Sequence, residues 1–108
     1  MCGWYTIYMK FLDPASVLKD LGVYGTQHVA DIGAGAGHFS LAAARRLDGG
    51  ALYAIDAEKE MLKRLADEAR AEGLLNVHVM HGDAARPLGV PLTDSSLDRV
   101  LATNILWA

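Results

Sequence analysis

Apolar residues recur along this chain with two different spacings. Short runs rich in Val, Ile, Leu and Ala stand at 28–32, 51–55, 76–81 and 97–104, each bounded by glycines or small polar residues. Runs of that length between turn-forming residues predict buried strands. Between the first three, the spacing becomes helical. Phe39, Leu41, Ala42, Ala43 and Leu47 supply an apolar face over 39–47, and Met61, Leu62, Leu65, Ala66 and Ala69 do so over 58–72. Glu60 and Arg64 form a favourable i,i+4 pair on the outer face of the latter. Gly49-Gly50 and Gly73 mark the ends of these two helices. A shorter helix is expected over 15–21, capped by Asp13 with Pro14 at its first position and ended by Gly22 and Gly25. Pro87, Pro91 and Thr93-Asp94-Ser95-Ser96 exclude a long helix before the fourth strand.

Strands alternating with helices predict an α/β fold built from βαβ units around a parallel sheet. Right-handed crossovers are then expected to place helices on both faces. Residues 1–26 form a lead-in with the short helix, and residues 27–108 form the domain proper. Ligands of such sheets bind beyond the carboxyl ends of the strands, where strand order reverses. The strand ends therefore carry the candidate chemistry: Asp31-Ile32-Gly33, Asp56, Asp83 and Asn104.

Composition narrows the class. The chain has 108 residues, 52% hydrophobic and 21% charged, a globular balance suited to one domain. A net charge of −3, with no run of Lys and Arg, gives no reason to expect a nucleic-acid partner. Cys2 stands alone, so no internal disulfide forms, as a reducing, cytoplasmic setting permits. The four histidines, at 28, 38, 78 and 81, are not at metal-site spacings, and no metal is expected. No apolar run approaches the ~20 residues of a membrane span. The aromatic start, Trp4 to Leu12, lacks the basic region and cleavage site of a signal peptide. It reads as a segment packed on the domain or a partner, with a lid over the substrate site as the other reading.

The loop after the first strand reads Asp31-Ile32-Gly33-Ala34-Gly35-Ala36-Gly37. Its glycines allow tight turns and close approach of a ligand. The helix that follows offers N–H groups to a carboxylate or phosphate. A dinucleotide fingerprint needs a glycine where His38 stands, and a P-loop needs Gly-Lys-Ser/Thr, which is absent.

The loop resembles the acid-x-Gly-x-Gly-x-Gly motif of class I (Rossmann-like) S-adenosylmethionine-dependent methyltransferases. Ala54-Ile55-Asp56-Ala57 looks like that family's acidic tip of the second strand, and His81-Gly82-Asp83-Ala84 like the motif after the third. The stretch from Leu92 to Asn104 is similar to the approach to strand four in small-molecule members of the ubiquinone and menaquinone biosynthesis type. The likeness covers roughly residues 27–107, with four motifs in order.

The resemblance implies a cofactor, S-adenosylmethionine, and a set of binding residues. Asp31, Gly33, Ala34, Gly35 and Gly37 form the loop. Asp56 lies close to the ~20-residue interval expected of an acid that accepts from ribose hydroxyls, with Ala57 beside it. Asp83 would accept from an adenine amino group and the Ala84 N–H would meet a ring nitrogen. Asp31 would face the ammonium of the methionine portion, directly or through water, and would order the glycine loop by accepting its backbone N–H bonds, two compatible roles. Asn104 lies where members place groups near the methyl. Asn104-Ile105-Leu106-Trp107 departs from the Asn-Pro-Pro-aromatic signature of amino-directed nucleic-acid methyltransferases, which argues against a base substrate, and the resemblance to the small-molecule type implies a small-molecule methyl acceptor. Trp107 either lines the substrate side or packs. No catalytic side chain is assigned, because methyl transfer asks mainly for alignment.

Family members carry seven strands in the order 3-2-1-4-5-7-6, and four are expected here, in the order 3-2-1-4. The chain therefore reads as a fragment, or as a short protein that finds its second half elsewhere. Two functions follow: a methyltransferase complete only with more chain or a partner, or a non-catalytic cofactor-binding module. The apolar edge at strand four, with Val100, Leu101, Ala102, Ile105 and Leu106, makes self-association an expectation.

Overall fold

The computed structural model describes residues 13–35, 37–82 and 97–102. Three helices and four strands follow in the order α1 (Pro14–Asp20), β1 (His28–Ile32), α2 (His38–Arg46), β2 (Ala51–Asp56), α3 (Lys59–Ala71), β3 (Val77–His81) and β4 (Arg99–Leu101). The fourth strand is shorter than the sequence suggests. The aromatic N-terminus, the 83–96 connection and the last six residues lie outside the described residues.

Local chemistry sets the helix ends. Asp13 accepts from the Ser16 backbone N–H and hydroxyl, both at 3.1 Å, at the start of α1. Both α1 and α3 end on a glycine with positive φ, Gly22 at 75° and Gly73 at 76°. In each, the next residue's N–H returns to the helix: Val23 to the Leu18 carbonyl, Leu74 to the Ala69 carbonyl, both at 2.9 Å. Asn76, just before β3, donates to the carbonyls of Ala44 and Leu47 at 3.0 and 2.8 Å. That side chain adds a second donor to two carbonyls at the end of α2, which also accept from the Leu47 and Gly50 N–H groups.

The strands form one parallel sheet, ordered β3-β2-β1-β4. In its register Asp31 sits beside Ala54 and Leu101, and Asp56 beside His81. Val29, Leu52, Ala54 and Leu101 point to one face. There they pack with Val17 and Leu18 of α1, Phe39 and Leu41 to Ala44 of α2, and Leu65 and Ala69 of α3.

All three described helices thus share one face, and the expectation of helices on both faces is not met among the described residues. The reason is handedness. The chain steps from β1 to β2 to β3 in one direction, so right-handed crossovers put α2 and α3 on the same side. The direction reverses only at β4, after residues 83–96.

The opposite face, in the amino-terminal half of the strands, carries three stacked rings. His28 and Tyr53 have centroids 5.8 Å apart, and Tyr53 and His78 5.3 Å apart. No helix among the described residues is long and apolar enough to cross a membrane.

Candidate functional site

The turn out of β1 is built on glycine. Gly33, Gly35 and Gly37 have φ of 73°, 59° and 87°, a region that L side chains rarely adopt. This path lets the loop fold back over the end of β2. The N–H groups of Gly33 and Ala34 both donate to the Ile55 carbonyl, at 2.8 and 3.1 Å. The Gly35 N–H donates to Oδ2 of Asp56 at 2.8 Å. The other Asp56 oxygen accepts from the Glu58 N–H, also at 2.8 Å, which holds the turn into α3. One carboxylate thus pins two loops at the carboxyl edge of the sheet and remains only half-buried.

Asp31 behaves differently. Its side chain is fully buried, and Oδ2 accepts from the Ser40 hydroxyl at 2.7 Å. This bond runs from Asp31 to the first turn of α2, from a side-chain hydroxyl rather than from a backbone N–H of the glycine loop. A buried carboxylate needs such donors, since desolvation without them is costly.

α2 begins at Gly37 with no side-chain cap. Its first turn therefore leaves N–H groups for an acceptor outside the helix. Gly37 itself is pressed against α3: a Cβ there would overlap the side chain of Leu65.

At the neighbouring strand end, His81 Nε2 donates to the Ala57 carbonyl at 2.9 Å, and the Gly82 N–H donates to the Asp56 carbonyl at 3.1 Å. These bonds draw the end of β3 against the Asp56 turn. His78 and His81 are three positions apart in a strand, so they point to opposite faces and do not converge on an ion. Among the described residues, no three His, Cys, Asp or Glu side chains are grouped to hold a metal.

Asp31, Gly33, Ala34, Gly35, Gly37, Asp56 and Ala57 are therefore brought together at the carboxyl ends of β1 and β2. Asp83, Ala84 and Asn104 lie outside the described residues. Sequence reasoning missed Ser40 and His81. Ser40 was detectable only as a hydroxyl inside an apolar helix face, and His81 only as the residue in register with Asp56.

The chain matches the family model of methyltransferase domains over residues 29–108. A curated relative from Methanosarcina mazei, named "Probable cobalt-precorrin-6B C(15)-methyltransferase (decarboxylating)", is 36% identical over 81 residues, covering 75% of this chain and 44% of its own length. The chain spans less than half the length of that relative. Among solved structures, a SAM-dependent methyltransferase from Aquifex aeolicus superposes with a TM-score of 0.74 at 30% identity, over 85% of this chain and 48% of the other. Precorrin-6y C5,15-methyltransferase from Geobacter metallireducens gives 0.67 at 26% identity, over 81% and 45%. Since the family match runs from β1 to the last residue and these neighbours share the sheet and its order, the chain belongs to the class I S-adenosylmethionine-dependent methyltransferases.

Proposed function

We propose that this chain holds S-adenosylmethionine against the carboxyl ends of β1 and β2, as the cofactor-binding part of an enzyme that methylates a small molecule. One observation carries the reading: the glycine loop is drawn over the end of β2 by Asp56.

The residues fit such a group. Each Asp56 oxygen takes one backbone N–H, while a carboxylate has about four acceptor positions. Capacity is left for the two hydroxyls of a ribose. The uncapped start of α2 suits the carboxylate of a methionine moiety, through its N–H groups and the positive end of its dipole. Asp83 and the Ala84 N–H are the candidates for the adenine, and Asn104 for the vicinity of the methyl.

When bound, the sulfonium supplies an already activated methyl group. The work left to the chain is to bind, to orient and to exclude water, which together lower the barrier by fixing the line of attack. No side chain among the described residues is placed here as a base. Relatives named for precorrin acceptors support a small-molecule substrate rather than a nucleic acid.

Calorimetry with S-adenosylhomocysteine and with NAD tests the cofactor reading, and the former is expected to bind in clear preference. Equal affinity for NAD would overturn it. A radiolabelled methyl-transfer screen with the full chain then separates an enzyme from a binding module without turnover.

A further inference from the structure

We infer that Ser40 is a positioning residue for the cofactor loop, acting through Asp31; the inference rests on the cofactor reading above. Asp31 is the fourth residue of β1 and Ser40 the third of α2, so the pair brackets the glycine loop from its two ends. A serine inside a helix commonly returns its hydroxyl to a carbonyl of the preceding turn. Here it leaves the helix and donates to Asp31 Oδ2 at 2.7 Å, with both residues fully buried. With water excluded from both groups, that bond is directional and costly to leave unmade.

Among the described residues, the hydrogen bonds from β2 act on the first half of the loop. Gly33 and Ala34 are held by the Ile55 carbonyl and Gly35 by Asp56, all from β2. Gly37 bonds back to the Ala34 carbonyl, at 3.0 Å, within the loop itself. The Ser40–Asp31 bond ties the second half, by fixing the first turn of α2 to the end of β1. That turn carries the N–H groups assigned above to the ligand carboxylate. A shift of the turn therefore misaims those donors even when the rest of the fold is intact, because a hydrogen bond weakens steeply with angle.

Ser40→Ala removes the hydroxyl and keeps the helix, alanine being the best helix former. Its affinity for S-adenosylhomocysteine, measured by calorimetry far below the unfolding temperature, is expected to fall about tenfold, equivalent to roughly 1.4 kcal/mol. A serine that only stabilises the fold would lower the unfolding temperature and leave that affinity unchanged. Ser40→Cys keeps the size with a weaker donor and is expected to give an intermediate affinity; should the alanine variant not fold, the cysteine variant decides. If the parent chain binds and both variants bind equally well, the role of Ser40 is overturned while the cofactor reading stands. If the parent chain does not bind S-adenosylhomocysteine, the cofactor reading falls, and the role of Ser40 with it.

Discussion

Asp56 concentrates the most consequence in one side chain, since it anchors the Gly35 and Glu58 N–H groups and is the candidate acceptor for a ribose. Asp56→Ala should weaken S-adenosylhomocysteine binding by roughly 1.5–3 kcal/mol, the range for hydrogen bonds to a charged group. Titration calorimetry measures this, and an unchanged affinity would remove Asp56 from the site. Two glycines of the loop separate binding from stability. At Gly35, φ is 59°, and a valine there meets the forbidden backbone region and adds bulk where the proposed cofactor would lie. Gly35→Val should abolish binding while circular dichroism shows the helices and strands retained. Gly37 instead faces Leu65 of α3, so Gly37→Ala adds overpacking to a strained φ of 87°. A loss of about 1–3 kcal/mol of stability in urea denaturation is expected, and a wild-type midpoint would contradict that packing.

Among the helices, the tie between α2 and α3 has a definite pH signature. Arg45 donates to both oxygens of Glu72, just beyond the end of α3. The hydrogen bond from Arg45 holds the Glu72 carboxyl below its usual 4.5. An acid with a lowered folded-state pKa stabilises above its unfolded value, and that contribution disappears as pH falls through the folded value. Both partners are partly exposed to solvent, so the effect is small and sensitive to salt. Replacing Glu72 by Gln should slightly lower the urea midpoint at pH 7 in low salt. At a pH well below the carboxylate range the two proteins should coincide. A difference that persisted there would show that Glu72 acts by packing rather than charge.

Taken as a whole, the molecule has a bordering strand on each side of its described sheet, β3 and β4. Val100 and Leu101 make β4 apolar, Ile105 and Leu106 follow in the sequence, and apolar sheet borders recruit other chains. We propose concentration-dependent self-association through that side. Light scattering over a dilution series should show it, and Leu106→Lys should weaken it. Val79→Lys, at the partly exposed β3 border, should leave it unchanged. A chain that scatters as a monomer at every concentration would exclude the interface.

What the sequence determined by itself is local and periodic. Gly33, Gly35 and Gly37 mark their own positions because only glycine accepts positive φ without strain, and the structure places all three there. Asp56 was legible from its interval after the loop, because a βαβ unit has a nearly fixed length. The helices were legible from apolar spacing, which one core-facing stripe imposes. Tertiary structure alone decided the rest. The hydrogen bond between Ser40 and Asp31 spans nine positions, and it exists because packing removes both groups from water. That Asp56 clamps the loop over β2 depends on the register that sets β1 beside β2. The gathering of all described helices on one face depends on the direction of successive strand steps, a property of the assembled sheet that no single segment carries.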